Sequence, residues 1–152
     1  RYIGEDITSD NTLYDYLEGW RQRGRVEYRH YATSSISYLY YELELNDRGQ
    51  LVTSTDSYEY SPTRHTIRGI YTQVLGKKWW LTGDVAYRVS DFDPSPTIDR
   101  TDDQWKLGLS AEYHIDRTLR LSTKYQLIDN ASSIDRYSYD KSIFKVGLSK
   151  LF

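Results

Sequence analysis

The sequence predicts an all-β fold, an antiparallel transmembrane β-barrel, and three observations carry that prediction. Apolar side chains recur at every second residue along six segments of the 152-residue chain. Short and long connections alternate between these segments. Aromatic residues are abundant, with 16 Tyr, 4 Trp and 3 Phe, although the mean hydropathy is only −0.74. Disordered chains are poor in aromatic residues, so that composition argues for a folded chain. A membrane barrel reconciles the aromatic content with the low hydropathy. Only alternate residues over a band about 25 Å tall need be apolar, and Tyr and Trp gather at its two interfaces.

The chain opens with Arg1-Tyr2-Ile3-Gly4-Glu5, which is polar where an export leader would be apolar, so a mature or truncated form is expected. Residues 4–11 are turn-like and too short to span a bilayer. Residues 1–17 are therefore expected to form an extracellular loop or a poorly regular N-terminal segment, and residues 18–152 the barrel strands. The alternative is a short eighth strand from Tyr2 to Thr8.

The first clear strand sets Trp20, Gly24, Val26 and Tyr28 opposite Arg21, Arg23, Arg25, Glu27 and Arg29. On a helix those charges would encircle the axis and leave no apolar stripe. Next, Ser37, Leu39, Tyr41, Leu43 and Leu45 oppose Tyr38, Tyr40, Glu42 and Glu44. Residues 66–75 are a strand by composition, with Ile67, Gly69 and Tyr71 expected outward. Trp79, Leu81, Gly83, Val85, Tyr87 and Val89 oppose Trp80, Thr82, Asp84, Ala86, Arg88 and Ser90. The alternation is cleanest where Trp105, Leu107, Leu109, Ala111, Tyr113 and Ile115 oppose Gln104, Lys106, Gly108, Ser110, Glu112 and His114. Leu119, Leu121, Thr123, Tyr125 and Leu127 then oppose Arg120, Ser122, Lys124 and Gln126. Finally, Phe144, Val146, Leu148 and Phe152 oppose Lys145, Gly147 and Ser149.

Residues 32–35, 76–78 and 116–117 read as tight turns, and residues 46–65, 91–103 and 129–137 as longer polar connections. Strict alternation of this kind matches the periplasmic turns and extracellular loops of outer-membrane barrels. About seven strands are visible, an odd number, whereas single-chain bacterial barrels have even numbers. The expectation is therefore the C-terminal part of a larger barrel, completed by further strands or a further chain, or else an 8-stranded barrel.

Composition narrows the function. A formal charge of −2 with no basic run argues against nucleic acid as a partner. With no cysteine there are no disulfides or thiolate metal sites, and His30, His65 and His114 lack ligand spacing, so no metal and no cofactor are expected. No apolar run approaches the roughly 18 residues of a spanning helix. Glu112 and His114 share a face but have no nucleophile beside them, so the chain is not expected to be an enzyme.

The chemistry lies on the polar face. Arg21, Arg23, Arg25 and Arg29 form a ladder beside Glu42 and Glu44, and Asp84, Arg88, Lys106, Glu112, Arg120, Lys124 and Lys145 continue around the wall. Such residues line a pore and select permeants, or they pair across strands and fill a closed lumen. Four Arg against two Glu predict a locally positive wall facing water or an anionic permeant. Tyr58-Glu59-Tyr60 and Tyr137-Ser138-Tyr139 could stack on sugar rings, but an outer aromatic girdle is the expected role.

The residues Leu119-Arg120-Leu121-Ser122-Thr123-Lys124-Tyr125, Asp135-Arg136-Tyr137-Ser138-Tyr139-Asp140 and the terminal run from Val146 to Phe152 resemble the outer-membrane family known as β-barrel porin 2. Trp105 to Tyr113 extends the similarity. The resemblance implies a bacterial outer-membrane location, in a bilayer containing lipopolysaccharide, and an association with exopolysaccharide export. It also implies that the barrel-assembly machinery reads the terminal strand, with Phe144, Val146, Leu148 and Phe152 as the signal. Lys150 departs from the pattern, standing where such strands carry an aromatic residue. The function expected is a porin or channel with a charged aqueous lumen. The alternative is a small plugged structural or adhesion barrel that docks partner proteins at the cell surface.

Overall fold

The computed structural model describes residues 2–3, 19–48, 62–92 and 99–150. The polypeptide runs as β1 (Tyr2–Ile3), β2 (Gly19–Tyr31), β3 (Ser35–Arg48), β4 (Pro62–Leu75), β5 (Trp79–Phe92), β6 (Thr101–His114), β7 (Leu119–Ser132) and β8 (Tyr139–Lys150). A 3-10 turn, Asp135–Tyr137, precedes β8. The strands form one sheet in sequence order, each antiparallel to the next. Seven of them are long, and β1 contributes two residues paired with Gly19 and Trp20. Among the described residues no pairing joins β8 back to β1 or β2, so the sheet is not closed.

The register explains why this order holds together. Leu39 pairs with Gly69, Gly69 with Val85, Val85 with Leu107 and Leu107 with Leu127, so one apolar row crosses five strands. A second row runs Tyr41, Ile67, Tyr87, Trp105. Slipping any strand by one residue would turn its apolar set onto the charged face, so each strand's own period fixes its register. Ile67, Gly69 and Tyr71 lie on the apolar face, as expected from the sequence.

The distribution of burial is inverted relative to a water-soluble sheet. Val26, Leu109 and Phe144 are 76%, 68% and 69% exposed, whereas Glu44 on the opposite face is 5% exposed. Among the described residues Ala86 and Phe92 are the buried hydrophobic side chains of the core, while Glu44, Asn46, Thr66, Ser90, Asp102 and Asn130 are buried polar ones. All six polar residues sit on the same face, toward the end from which the long connections leave. Among the described residues no second layer of secondary structure covers either face.

On the β5–β6 hairpin the apolar face has a defined height. Trp79 packs against Tyr113 at one end and Tyr87 against Trp105 at the other, both with ring centroids 4.7 Å apart. Between them the paired positions are Leu81–Ala111, Gly83–Leu109 and Val85–Leu107. The aromatic rows are eight residues apart, about 27 Å at roughly 3.4 Å per residue.

Turn chemistry sets the tight ends. Gly76 closes the β4–β5 turn at φ +62°, where a Cβ would clash with the backbone. In the β6–β7 turn the Asp116 carboxylate accepts from the Thr118 and Leu119 amides at 2.7 and 2.8 Å and from the Thr118 hydroxyl at 3.0 Å. Those donors favour the charged form and hold the Asp116 carboxyl below its ordinary value.

The strands run further than their sequence patterns suggest. β3 extends to Arg48, β4 begins at Pro62 rather than at residue 66, β5 reaches Phe92 and β7 reaches Ser132. Continued pairing past the last clean alternation explains this, because a ladder needs backbone partners and not apolar side chains. The short-long alternation of connections remains, with residues 49–61, 93–100 and 133–138 as the long ones. Most of the segment 1–17, the Tyr58-Glu59-Tyr60 cluster and Phe152 lie outside the described residues.

Candidate functional site

Each strand contributes alternate side chains to the polar face, and the antiparallel register brings them into cross-strand and diagonal contact. Register places Arg23 opposite Glu44 and Arg25 opposite Glu42, so β2 and β3 interdigitate their charges. Glu44 is the centre of this region. One carboxylate oxygen takes Arg23 Nη2 at 2.7 Å and Arg21; the other takes Arg64 Nη1 at 2.8 Å and Asn46 Nδ2 at 3.0 Å. A buried carboxylate would be costly alone, and three guanidinium groups and an amide offset its lost hydration.

The rest of the ladder finds partners too. Arg25 Nη2 lies 2.6 Å from Glu27, which also receives Arg29, and Arg23 lies 3.6 Å from Glu42. The Arg25 guanidinium covers the Tyr40 ring at 3.6 Å, and that of Arg29 stands 5.4 Å from the Tyr38 ring. The excess positive charge expected along β2 is reduced rather than removed, four arginines standing against Glu27, Glu42 and Glu44. Glu27 lies on the same strand and face, alternating with the arginines, and supplies the third carboxylate.

On the neighbouring strands Arg68 grips Asp84 with two nitrogens, and its Nε–Oδ1 separation is 2.7 Å. Gly108 lies beside this pair, and a Cβ there would stand 3.3 Å from Asp84 Cβ, close enough to press it aside by a few tenths of an ångström. Arg100 pairs with Asp102 at 2.5 Å and lies between the Phe92 and Tyr137 rings, at 4.1 and 3.6 Å. Near the tight turns, Glu112 lies 2.6 Å from His114 Nε2 and 3.6 Å from Arg120, with Trp80 stacked on the His114 ring at 5.5 Å.

The structure puts every described member of the predicted lining set, from Arg21 to Lys145, on this one face. It does not bring them all together. Among the described residues Arg88 makes one side-chain hydrogen bond, to the Thr66 hydroxyl at 3.1 Å. Arg88, Lys106, Lys124 and Lys145 have no carboxylate within 4 Å among the described residues, and Lys124 pairs directly with Lys145 across β7 and β8. Phe144, Val146 and Leu148 lie along β8 on the apolar face, all strongly exposed.

Arg64, Arg68, Asn46, Arg100 and Asp102 are the polar-face residues that sequence reasoning missed. Arg64 and Arg68 were detectable, because they share the parity of Thr66, one two residues upstream and the other two residues downstream. Asn46 and Asp102 fall where the alternation had already ended. No group of three or more potential metal ligands occurs among the described residues. No family model, curated protein or solved structure matches the chain.

Proposed function

We propose that this chain forms the wall of a bacterial outer-membrane β-barrel, a porin or channel whose polar face borders a charged aqueous lumen. The apolar band of the β5–β6 hairpin carries this reading. Three aliphatic or glycine rows lie between two aromatic rows about 27 Å apart along the strands, which is roughly 19–22 Å of height at the 35–45° tilt of such barrels, comparable with their apolar band of about 25 Å. No covering layer stands over it among the described residues, and lipid would satisfy such a face as no aqueous surface can. The buried polar side follows if the sheet curls around it toward closure. Further strands or a further chain would complete the ring, since edges exposing unpaired backbone groups are not tolerated in a bilayer. The resemblance to the β-barrel porin 2 family adds an association with exopolysaccharide export and assembly by the barrel-assembly machinery.

A second reading is favoured by the Glu44 cluster and the Arg68–Asp84 pair, which fill part of the polar face with mutually satisfied charges. Under it the barrel is plugged and acts as a structural or docking barrel at the cell surface. Planar-bilayer conductance separates the two. The channel reading expects ion currents that depend on Lys106 and Arg88; a folded, inserted and silent protein would contradict it.

A further inference from the structure

We infer that the polar face carries a binding site for a water-borne oxyanion of the phosphate class, built around Arg88 and Lys106. The two lie on β5 and β6 in adjacent registers, Arg88 opposite Gln104 and Ala86 opposite Lys106, so they are diagonal neighbours. Diagonal positions are roughly 7–8 Å apart between backbones, within reach of two long side chains. Arg64 and Arg68 are diagonal to Arg88 on the other side, through Ser90 and Ala86. Glu44 and Asp84 neutralise those two arginines. Among the described residues no carboxylate lies within 4 Å of Arg88 or Lys106, although both are half-buried.

A cavity of about 470 Å³ opens over the pair, at the end bearing the long connections. Ser90, Gln104, Asn130 and Tyr139 also line it and supply neutral hydrogen-bonding groups. Gln104 Nε2 is already held by Asn130 at 3.1 Å and by the Tyr139 hydroxyl at 2.9 Å, so that part of the wall is preorganised. Arg100 covers one face of the Phe92 and Tyr137 rings, which makes a stacked sugar ring the poorer occupant. A compact tetrahedral oxyanion fits better. It can take the flat fork of Arg88, the point charge of Lys106 and a hydroxyl at once, which a halide cannot. The cavity lies on the face opposite the apolar band, so a lipid headgroup is not its source.

The site deepens the channel reading by naming the chemistry a permeant would present, and it rests on that reading for access to water. Binding is testable without any bilayer. Full-length protein folded in detergent micelles in chloride buffer is titrated calorimetrically with inorganic phosphate. Saturable binding at one site is expected, weakened roughly tenfold or more in Lys106→Gln and unchanged in Lys77→Gln, a turn residue far from the cavity. Lys106→Glu hands Arg88 an internal carboxylate, so binding should vanish while folding persists. As a second readout, phosphate should raise the unfolding temperature of the native protein but not of Lys106→Glu. No saturable heat with the native protein, or native affinity in both Lys106 variants, overturns the site. Phosphate binding by a protein silent in bilayers would leave the site standing and remove the channel.

Discussion

The two halves of the polar face manage the same kind of charge in opposite ways. Across β2 to β4 Arg21, Arg23, Arg25, Arg29, Arg64 and Arg68 each reach a carboxylate, and Glu44 alone serves Arg21, Arg23 and Arg64. Across β5 to β8 Asp84 is taken by Arg68, Asp102 by Arg100 and Glu112 by His114 and Arg120, which leaves Arg88, Lys106, Lys124 and Lys145 without a carboxylate within 4 Å among the described residues. Each half has three described carboxylates on this face, and what distinguishes the halves is how they are shared, Glu44 serving three guanidinium groups and Glu27 two. The first half is built to be rigid and self-satisfied. The second keeps positive charge available to whatever fills the space beside it.

The comparison breaks hardest at Glu44. Replacing it with Gln leaves Arg21, Arg23 and Arg64 crowded around a neutral group, and removing one partner of a buried ion pair costs about 3–5 kcal/mol. Urea unfolding in micelles should show this loss, whereas Lys124→Gln in the other half should be neutral or slightly stabilising. The double change of Arg23 and Arg25 to Glu should likewise impair folding, because Arg23 pairs with Glu44 and Glu42 and Arg25 with Glu27. A well-folded double variant would mean that the first half is not the structural one.

Next in size is the contrast between faces. Leu109→Arg at a mid-band outward position should cost about 2–4 kcal/mol in lipid, and Ser110→Arg on the polar face should be tolerated. Equal folding yields in vesicles would contradict the face assignment. Smaller still is Gly76→Ala, whose left-handed φ should cost about 1–2 kcal/mol.

The smallest expected effect concerns acid. The Asp116 carboxyl titrates lower in the folded chain than in the unfolded one, so its contribution is fully present above its unfolded value near 3.8 and is lost as pH falls through the lower folded value. Asp116→Asn should flatten that part of the acid stability profile and change nothing at neutral pH beyond the lost turn contacts. A profile unchanged below pH about 4 would show that the turn has no such role.

Much of this was legible in the sequence because a strand's period of two is written residue by residue. Trp105 to Tyr113 announces both its faces, and the pairing in the sheet follows them. The charge balance was harder to read. Counting Glu42 and Glu44 against the ladder omitted Glu27, which sits among the arginines it neutralises. Arg64 escaped because Pro62 and the polar run before it look like a loop, yet Pro62 is the first residue of β4. Proline is permitted at a strand's start, where the missing N–H need not break the ladder. That Arg88 lacks a carboxylate could not be read at all, since it depends on which diagonal neighbours have already claimed Glu44 and Asp84.

The central claim is that one face of this sheet meets lipid and the other meets water. The sequence contains no cysteine, so single cysteines can be placed at each position from 105 to 113 along β6 and spin-labelled in vesicles. The account predicts alternation at every residue, with 105, 107, 109, 111 and 113 accessible to oxygen and 106, 108, 110 and 112 to a polar nickel reagent. Equal access of the nickel reagent to both sets would contradict it.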